Sequence, residues 1–304
     1  MATTTKRQWE DIFSSWANPP SDAEKQRCAN AVTAVQKAID ASSKLSLHDI
    51  YVTPQGSFLN GTNVRLDSDV DLAVRCRSVY LTAYPTGVSD TSAGLVDAGY
   101  SYSEYKNDVQ SALEAHFGRF NVHRGNKAFD INENTYRVDA DAVACMLYRE
   151  YYYNWEGRLC FHEGQALIAD DTRRRHVSFP IQQERNATAK NVATQRRFKK
   201  VVRIIKRLRN EMKDEGVQTA DKMPSFLLEC LVWNVPNESL TQSSLKTTVL
   251  DSLAFIWEST KPTGVAKDWL EENGINPLFG STSDWTLEQV NQFAYDAWNY
   301  VNAS

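Results

Sequence analysis

Gln55-Gly56-Ser57, followed after eleven intervening residues by Asp69-Val70-Asp71-Leu72, is the stretch on which the reading of this chain turns. Val70, Leu72 and Val74 alternate with Asp69, Asp71 and Ala73, which is the period of a β-strand. Side chains two apart on a strand share a face, so Asp69 and Asp71 are expected to project together from a strand over residues 69–75. Two carboxylates at that spacing can share hard divalent cations such as Mg²⁺. The Gly-Ser pair offers a backbone that a ligand can approach closely, and a hydroxyl, both suited to a phosphate. Together they predict a site for a metal-bound nucleoside triphosphate. The competing reading is a solvated surface strand after an ordinary turn. A bare Asp-x-Asp would not separate the two, but a turn, a spacing, a strand and two acids at once favour the first.

Composition sets the frame around this stretch. The chain has 304 residues, 42% of them hydrophobic, enough for one large domain or two packed lobes. Its formal net charge is −4, so it has little global attraction for nucleic acid, and any nucleotide site must be a local basic patch. The most apolar run, residues 226–235, contains Glu229 and is too short to span a bilayer. The first twenty residues lack an apolar signal-peptide core. Five cysteines, Cys28, Cys76, Cys145, Cys160 and Cys230, are scattered and form no Cys-x-x-Cys pair. They suggest reduced thiols in a cytoplasmic protein without a structural zinc site.

Outward from the acid motif, Ser21 with Glu24 reads as a capping box opening a helix, in which Ala31, Val32, Val35, Ala38 and Ile39 recur at helical spacing. Residues 50–53 read as a short strand leading into the Gly-Ser turn. Residues 80–105 look irregular, residues 105–117 helical, and residues 137–145 alternate again as a strand. Residues 151–171, rich in aromatics, Gly and Asp, read as strands with turns. From Arg185 the character is helical, with one long helix expected over 185–215 and others over 226–233, 245–258 and 287–301. The expected division is an α+β domain over residues 1–184, including the N-terminal helix, and a helical lobe over 185–304 that completes the nucleotide pocket.

The turn-and-acid arrangement resembles the nucleotidyltransferase superfamily built on polymerase-β-like cores, with a mixed sheet flanked by helices. Two-metal nucleotidyl transfer calls for a third acid. Residues 139–143, Asp-Ala-Asp-Ala-Val, offer two on one face of a predicted strand. Asp141 is the choice, since the apolar run after it resembles that after the third acid of oligoadenylate synthases. Asp139 is the runner-up. Eight of the fourteen residues 196–209 are basic. At 100° per residue Phe198, Val201, Val202, Ile205, Leu208 and Met212 form one apolar stripe, and Lys199, Arg203 and Lys206 fall on the opposite face. That concentration on an acidic protein favours anion binding, above all by Lys206. Ser225 would offer a hydroxyl at the start of the next helix, where the dipole favours phosphate, and Phe226 could stack on a base. A plain N-cap for Ser225 and a core aromatic for Phe226 are equally open readings.

Gln55-Gly56-Ser57, Asp69-Val70-Asp71, Asp139-Ala140-Asp141, Lys206-Arg207-Leu208-Arg209-Asn210 and Pro224-Ser225-Phe226-Leu227-Leu228-Glu229 together resemble the bacterial cGAS/DncV-like nucleotidyltransferases, or CD-NTases. The resemblance covers residues 45–300. It implies synthesis of a cyclic oligonucleotide messenger from ATP, GTP or other nucleoside triphosphates in CBASS anti-phage signalling, acting through a messenger-responsive effector protein. It implies two Mg²⁺ ions, replaceable by Mn²⁺, on Asp69, Asp71 and Asp141. It also implies a donor triphosphate held by Ser57, Lys206 and Ser225 with Gln55, Gly56, Lys199 and Arg203 nearby, and a base on Phe226. By family frequency the product is a purine-containing cyclic dinucleotide such as cyclic GMP-AMP. No Cys/His cluster matches the zinc insertion of the animal enzyme, so no DNA sensing is expected. Phe226 stands where several relatives carry Tyr. The alternatives are a nucleotidyltransferase acting on an RNA end, a protein or a small molecule, and a non-catalytic nucleotide-binding module.

Overall fold

The computed structural model describes residues 8–64, 70–132, 139–281 and 283–303. Asp69 lies outside the described residues. The helices are α1 (Trp9–Trp16), α2 (Asp22–Asp40), α3 (Gly56–Asn60), α4 (Tyr102–Phe117), α5 (Pro180–Ala193), α6 (Phe198–Asp214), α7 (Gln218–Asp221), α8 (Ser225–Asn234), α9 (Leu245–Ser259) and α10 (Leu287–Ala303). The strands are β1 (Ile50–Pro54), β2 (Val70–Ala83), β3 (Val122–Arg124), β4 (Phe129–Ile131), β5 (Ala140–Tyr153), β6 (Leu159–Ile168) and β7 (Arg175–Ser178). The described chain forms two compact units, and their division differs from a single cut at 184. Residues 8–20 and 59–64 join residues 181–303 in a helical unit, and the rest forms a sheet unit. Among the described residues no helix is long and apolar enough to cross a membrane.

The sheet unit carries one seven-stranded mixed sheet in the order β1-β2-β5-β4-β3, with β6 on β5 and β7 on β6. β2 and β5 run parallel, and the other pairings are antiparallel. Period-2 alternation decides what each face does. Val70, Leu72, Val74 and Cys76 of β2, with Ala140, Ala142, Ala144 and Met146 of β5, are buried in one core with residues of α2 and α4. Apolar burial of this kind contributes roughly 25 cal/mol per Å² and sets the register, because a one-residue slip would send every one of these side chains to the other face. Two tyrosines of α4 reach the strand backbone: Tyr105 Oη donates to Val74 O at 2.6 Å and Tyr102 Oη to Ala144 O at 3.0 Å. α2 opens with the expected capping box of Ser21 and Glu24. The strand segments outlast their expected ranges, because β2 continues to Ala83 and β5 to Tyr153.

The helical unit packs around α6. Phe198, Val201, Val202, Ile205, Leu208 and Met212 are all buried in its core with residues of α1, α8, α9 and α10. The single long helix expected over 185–215 is two helices. Gln195 and Arg196 adopt left-handed backbone at φ 52° and 64°, which costs L-residues about 1–2 kcal/mol each. Side chains offset that cost: Thr194 Oγ1 accepts from Phe198 N at 3.1 Å and Asn191 Oδ1 from Lys199 N at 3.2 Å.

Candidate active site

In the sheet unit, Asp71 and Asp141 are register partners on the parallel strands β2 and β5. In-register residues on neighbouring strands share a face. Here it is the face opposite the α2/α4 core, where Ala73, Val143 and Cys145 form a small apolar cluster just beyond the acids. Asp71 is exposed and Asp141 half-buried. Gly56 and Ser57, expected as a turn, open α3, and the start of that helix lies against Asp71. Gln55 N donates to Asp71 O at 2.8 Å. Gly56 has φ +60°, and a Cβ built there would lie 2.6 Å from Asp71 Oδ2. Only glycine accepts both the backbone and the contact. Asp139 sits two residues before Asp141, half-buried, and its carbonyl accepts from Val70 N at 3.1 Å.

The fit of divalent ions rests on donor chemistry. Asp71 and Asp141 bring only hard carboxylate oxygens to one face, the set Mg²⁺ takes, and the glycine turn leaves room beside them. Among the described residues no group of three His, Cys, Asp or Glu side chains converges on one point. The expected third member, Asp69, falls outside those residues. Asp130 of β4 is the register partner of Asp141, but it completes no such group with Asp71 and Asp141.

In the helical unit two of the basic residues on the polar side of α6 are buried. Lys206 is 2% exposed. Its ammonium donates to Glu229 Oε2 at 2.9 Å, Thr62 Oγ1 at 3.3 Å and Thr62 O at 3.4 Å, which engages all three hydrogens. Arg203 is likewise buried, donating to Ala17 O at 2.8 Å and Gly61 O at 2.6 Å. Burial lowers its pKa to about 10. Both were expected to bind an anion from the side of α6 opposite its apolar stripe. Residues 59–64 cover that side of α6, which periodicity within α6 cannot reveal. Lys199 stays half-buried, its Nζ 3.9 Å from a Cβ built on Gly61.

Ser225 is the first residue of α8, with Pro224 in the cap position, so the plain N-cap reading does not hold. Its Oγ accepts from Arg209 Nη2 at 3.0 Å, and Arg209 also donates to Met223 O. Phe226 is half-buried and packs against Trp285 with ring centroids 6.3 Å apart.

The buried polar centre of this unit went unread in the sequence. Asn60 Nδ2 donates to Glu229 Oε1 at 2.7 Å and to Glu272 Oε2 at 3.2 Å, Thr62 Oγ1 to Glu229 Oε2 at 2.8 Å, and Gln183 Nε2 to Glu272 Oε2 at 3.1 Å. Burial works to raise the pKa of Glu229, but the charge and hydrogen bond of Lys206, with those of Asn60 and Thr62, hold it below its ordinary value. Glu272 goes the other way. Burial, then repulsion from Glu229, pushes it up to about 9. Glu272 Oε1 is buried and meets no donor, as suits an oxygen that carries the proton itself. One lysine thus faces two carboxyl groups whose pKa values are moved in opposite directions. The sole sequence signal was Glu229 interrupting an apolar run.

Comparison with known proteins adds the following. A family model described as the cGAS/DncV-like nucleotidyltransferase C-terminal helical domain matches residues 185–302. A cyclic dipyrimidine nucleotide synthase, CdnE, of Legionella pneumophila is 40% identical over 96% of this chain and 98% of its own. The protein of the same name from Cecembia lonarensis is 36% identical with the same coverage. Relatives named for purine products lie at 29% and 31%. The structure of Rhodothermus marinus CdnE c-UMP-AMP synthase with Apcpp and Upnpp superposes with a TM-score of 0.83 at 27% identity, covering 97% of this chain and 96% of that one.

Proposed function

This chain belongs to the cGAS/DncV-like nucleotidyltransferase family, and on that footing we propose that it joins two nucleoside triphosphates into a cyclic dinucleotide, with pyrimidines as the preferred bases. The observation that carries the reaction is the Gly56-Ser57 start of α3 set against Asp71, with Asp141 in register on the next strand. The pyrimidine preference is supported by the names of the relatives at 40% and 36% identity and departs from the purine lean of family frequency.

Asp71 and Asp141 of this chain, with Asp69 from the sequence motif, are the residues that would hold two Mg²⁺ ions, with Mn²⁺ as the substitute. Such ions, when bound, lower the pKa of an attacking hydroxyl and neutralise charge on the triphosphate. The chain's own residues do the rest. Ser57 offers its hydroxyl, and the glycine turn its backbone, to the donor phosphates. Asp141 takes up the proton of the acceptor hydroxyl. The acceptor oxygen forms a bond to the donor α-phosphorus, the bond from that phosphorus to the bridging oxygen breaks, and pyrophosphate leaves. A second transfer of the same kind closes the ring, so two triphosphates give one cyclic dinucleotide and two pyrophosphates. On the helical unit, Ser225 with Arg209, and Lys199, are the candidates for phosphate contact, and Phe226 for a base. Lys206 enters that list only by giving up Glu229. Signalling to an effector in anti-phage defence is the role the family reading supports.

The test is incubation with each nucleoside triphosphate singly and in pairs with Mg²⁺, then phosphatase, then mass spectrometry. A phosphatase-resistant cyclic dipyrimidine is expected. A cyclic product containing only purines would overturn the base preference and keep the reaction. Transfer only to a protein or RNA acceptor would overturn the reaction.

A further inference from the structure

We propose that Arg75 and Gln165 are positioning residues that set the polarity of the Gln55 side chain, so that Gln55 turns N–H donors rather than its carbonyl toward an acceptor oxygen of the bound nucleoside triphosphate. The inference rests on the reading of Gln55-Gly56-Ser57 as the nucleotide turn.

The argument starts from Arg75, four residues after Asp71 on the same face of β2 and 6% exposed. A guanidinium has donors only. Arg75 Nη1 donates to Tyr51 Oη at 3.0 Å and its Nε donates to Gln165 Oε1 at 2.8 Å. The oxygen of the Gln165 amide is therefore fixed on the Arg75 side, and its nitrogen must face the other way. There Gln165 Nε2 donates to Gln55 Oε1 at 2.8 Å. Which end of an amide is oxygen is ordinarily settled by its network. This network begins at a group that cannot accept, so it has one solution. Gln165 is 3% exposed, and reversing its amide would set an NH₂ against the guanidinium with no water to relieve it.

The consequence falls on Gln55. Its oxygen is occupied, and its Nε2 has no partner among the described residues. It immediately precedes Gly56, whose missing side chain leaves the turn against Asp71 Oδ2. A half-buried NH₂ at that position suits an oxygen acceptor and repels a donor. Neither Arg75 nor Gln165 needs to touch substrate for this. They act through Gln55.

The discriminating variant is Gln165→Glu. A carboxylate accepts from Arg75 with one oxygen and from the Gln55 amide with the other, so it turns Gln55 round while the charge of Arg75 offsets its own. Binding would be measured on the full chain with non-hydrolysable ATP, GTP, CTP and UTP analogues in Mg²⁺, using whichever the wild type holds. Gln165→Glu is expected to weaken that analogue by about tenfold or more, with KM rising and the melting temperature unchanged or higher. Gln165→Met, which removes the director without reversing it, should fall between Gln165→Glu and wild type. Gln55→Ala should bind as weakly as Gln165→Glu. Wild-type binding by Gln165→Glu beside a weakened Gln55→Ala would overturn the directing role and keep the nucleotide turn. Wild-type binding by Gln55→Ala, or no analogue held by the wild type, would overturn the turn reading and this inference with it. Equal losses in Gln165→Glu and Gln165→Met that track a lowered melting temperature would reduce Gln165 to a packing residue and also overturn it.

Discussion

Replacing Glu272 by Gln should stabilise this protein, and by an amount that grows with pH. Glu272 is fully buried, faces Glu229 and Lys206, and receives hydrogen bonds from Asn60 and Gln183, while its own backbone N–H meets Cys230 Sγ at 3.4 Å. Its pKa is pushed from 4.5 up to about 9 by burial and by the Glu229 charge. The folded state therefore keeps a proton that the unfolded chain releases above about 4.5. Stability from this group is fully present below pH 4.5 and is lost progressively until the folded value near 9. The loss runs at about 1.4 kcal/mol per pH unit, or roughly 3 kcal/mol by pH 7. A glutamine keeps the acceptor oxygen for Asn60 and Gln183 and puts an uncharged NH₂ in place of the second carboxyl oxygen. It mimics the protonated acid at every pH. Denaturant melts of both proteins from about pH 5 to pH 9 would show near-equal stability at the acid end and a widening advantage for Glu272→Gln above it. Glu271, itself raised by burial, is present in both and cancels in the difference. A gap that does not change with pH, or one that widens toward acid, would refute the raised pKa of Glu272.

Three other outcomes follow from the same geometry. Asp71→Asn should lower pyrophosphate release by roughly a thousandfold or more, the equivalent of several kcal/mol of lost transition-state stabilisation, with the far-ultraviolet circular dichroism unchanged; near-normal turnover would remove Asp71 from the site. Gly56→Ala forces an L-residue to φ +60° with its Cβ 2.6 Å from Asp71 Oδ2, so it should cost about 1–2 kcal/mol in a denaturant melt and most of the activity; an unchanged midpoint would show that the turn relaxes freely. Lys206→Met strands the buried Glu229 and should cost about 3–5 kcal/mol, much of it recovered in the Lys206→Met, Glu229→Leu double variant; a stable single variant that loses only nucleotide affinity would return Lys206 to the phosphate site.

The local pattern carried most of the fold. Alternation around Asp71 and Asp141 named two strands, and the apolar stripe of α6 named the residues which that helix gives to the core of the helical unit. These readings succeed because strand and helix periods depend on neighbours close in sequence. The same proximity made Gly56, Ser57 and Asp71 legible as a group, because they lie close together in the chain.

What the sequence by itself determined is therefore the family of the chain, the carboxylate strand, the glycine turn and the apolar stripes. Tertiary structure alone decided which charges are exposed. Lys206 and Arg203 lie on the polar side of α6 by periodicity, yet residues 59–64 cover that side and turn both cations inward. It alone brought Glu229 and Glu272, 43 residues apart in sequence, onto one buried asparagine, where the charge of Glu229 helps raise the pKa of Glu272. It alone joined Arg75 to Gln165 and Gln165 to Gln55, a relay whose direction is set at a guanidinium far along the chain from the glutamine it orients. Periodicity reports which side of an element is polar. Whether that side meets water, a counter-ion or a second amide depends on segments that arrive from elsewhere in the chain, and no local pattern encodes them.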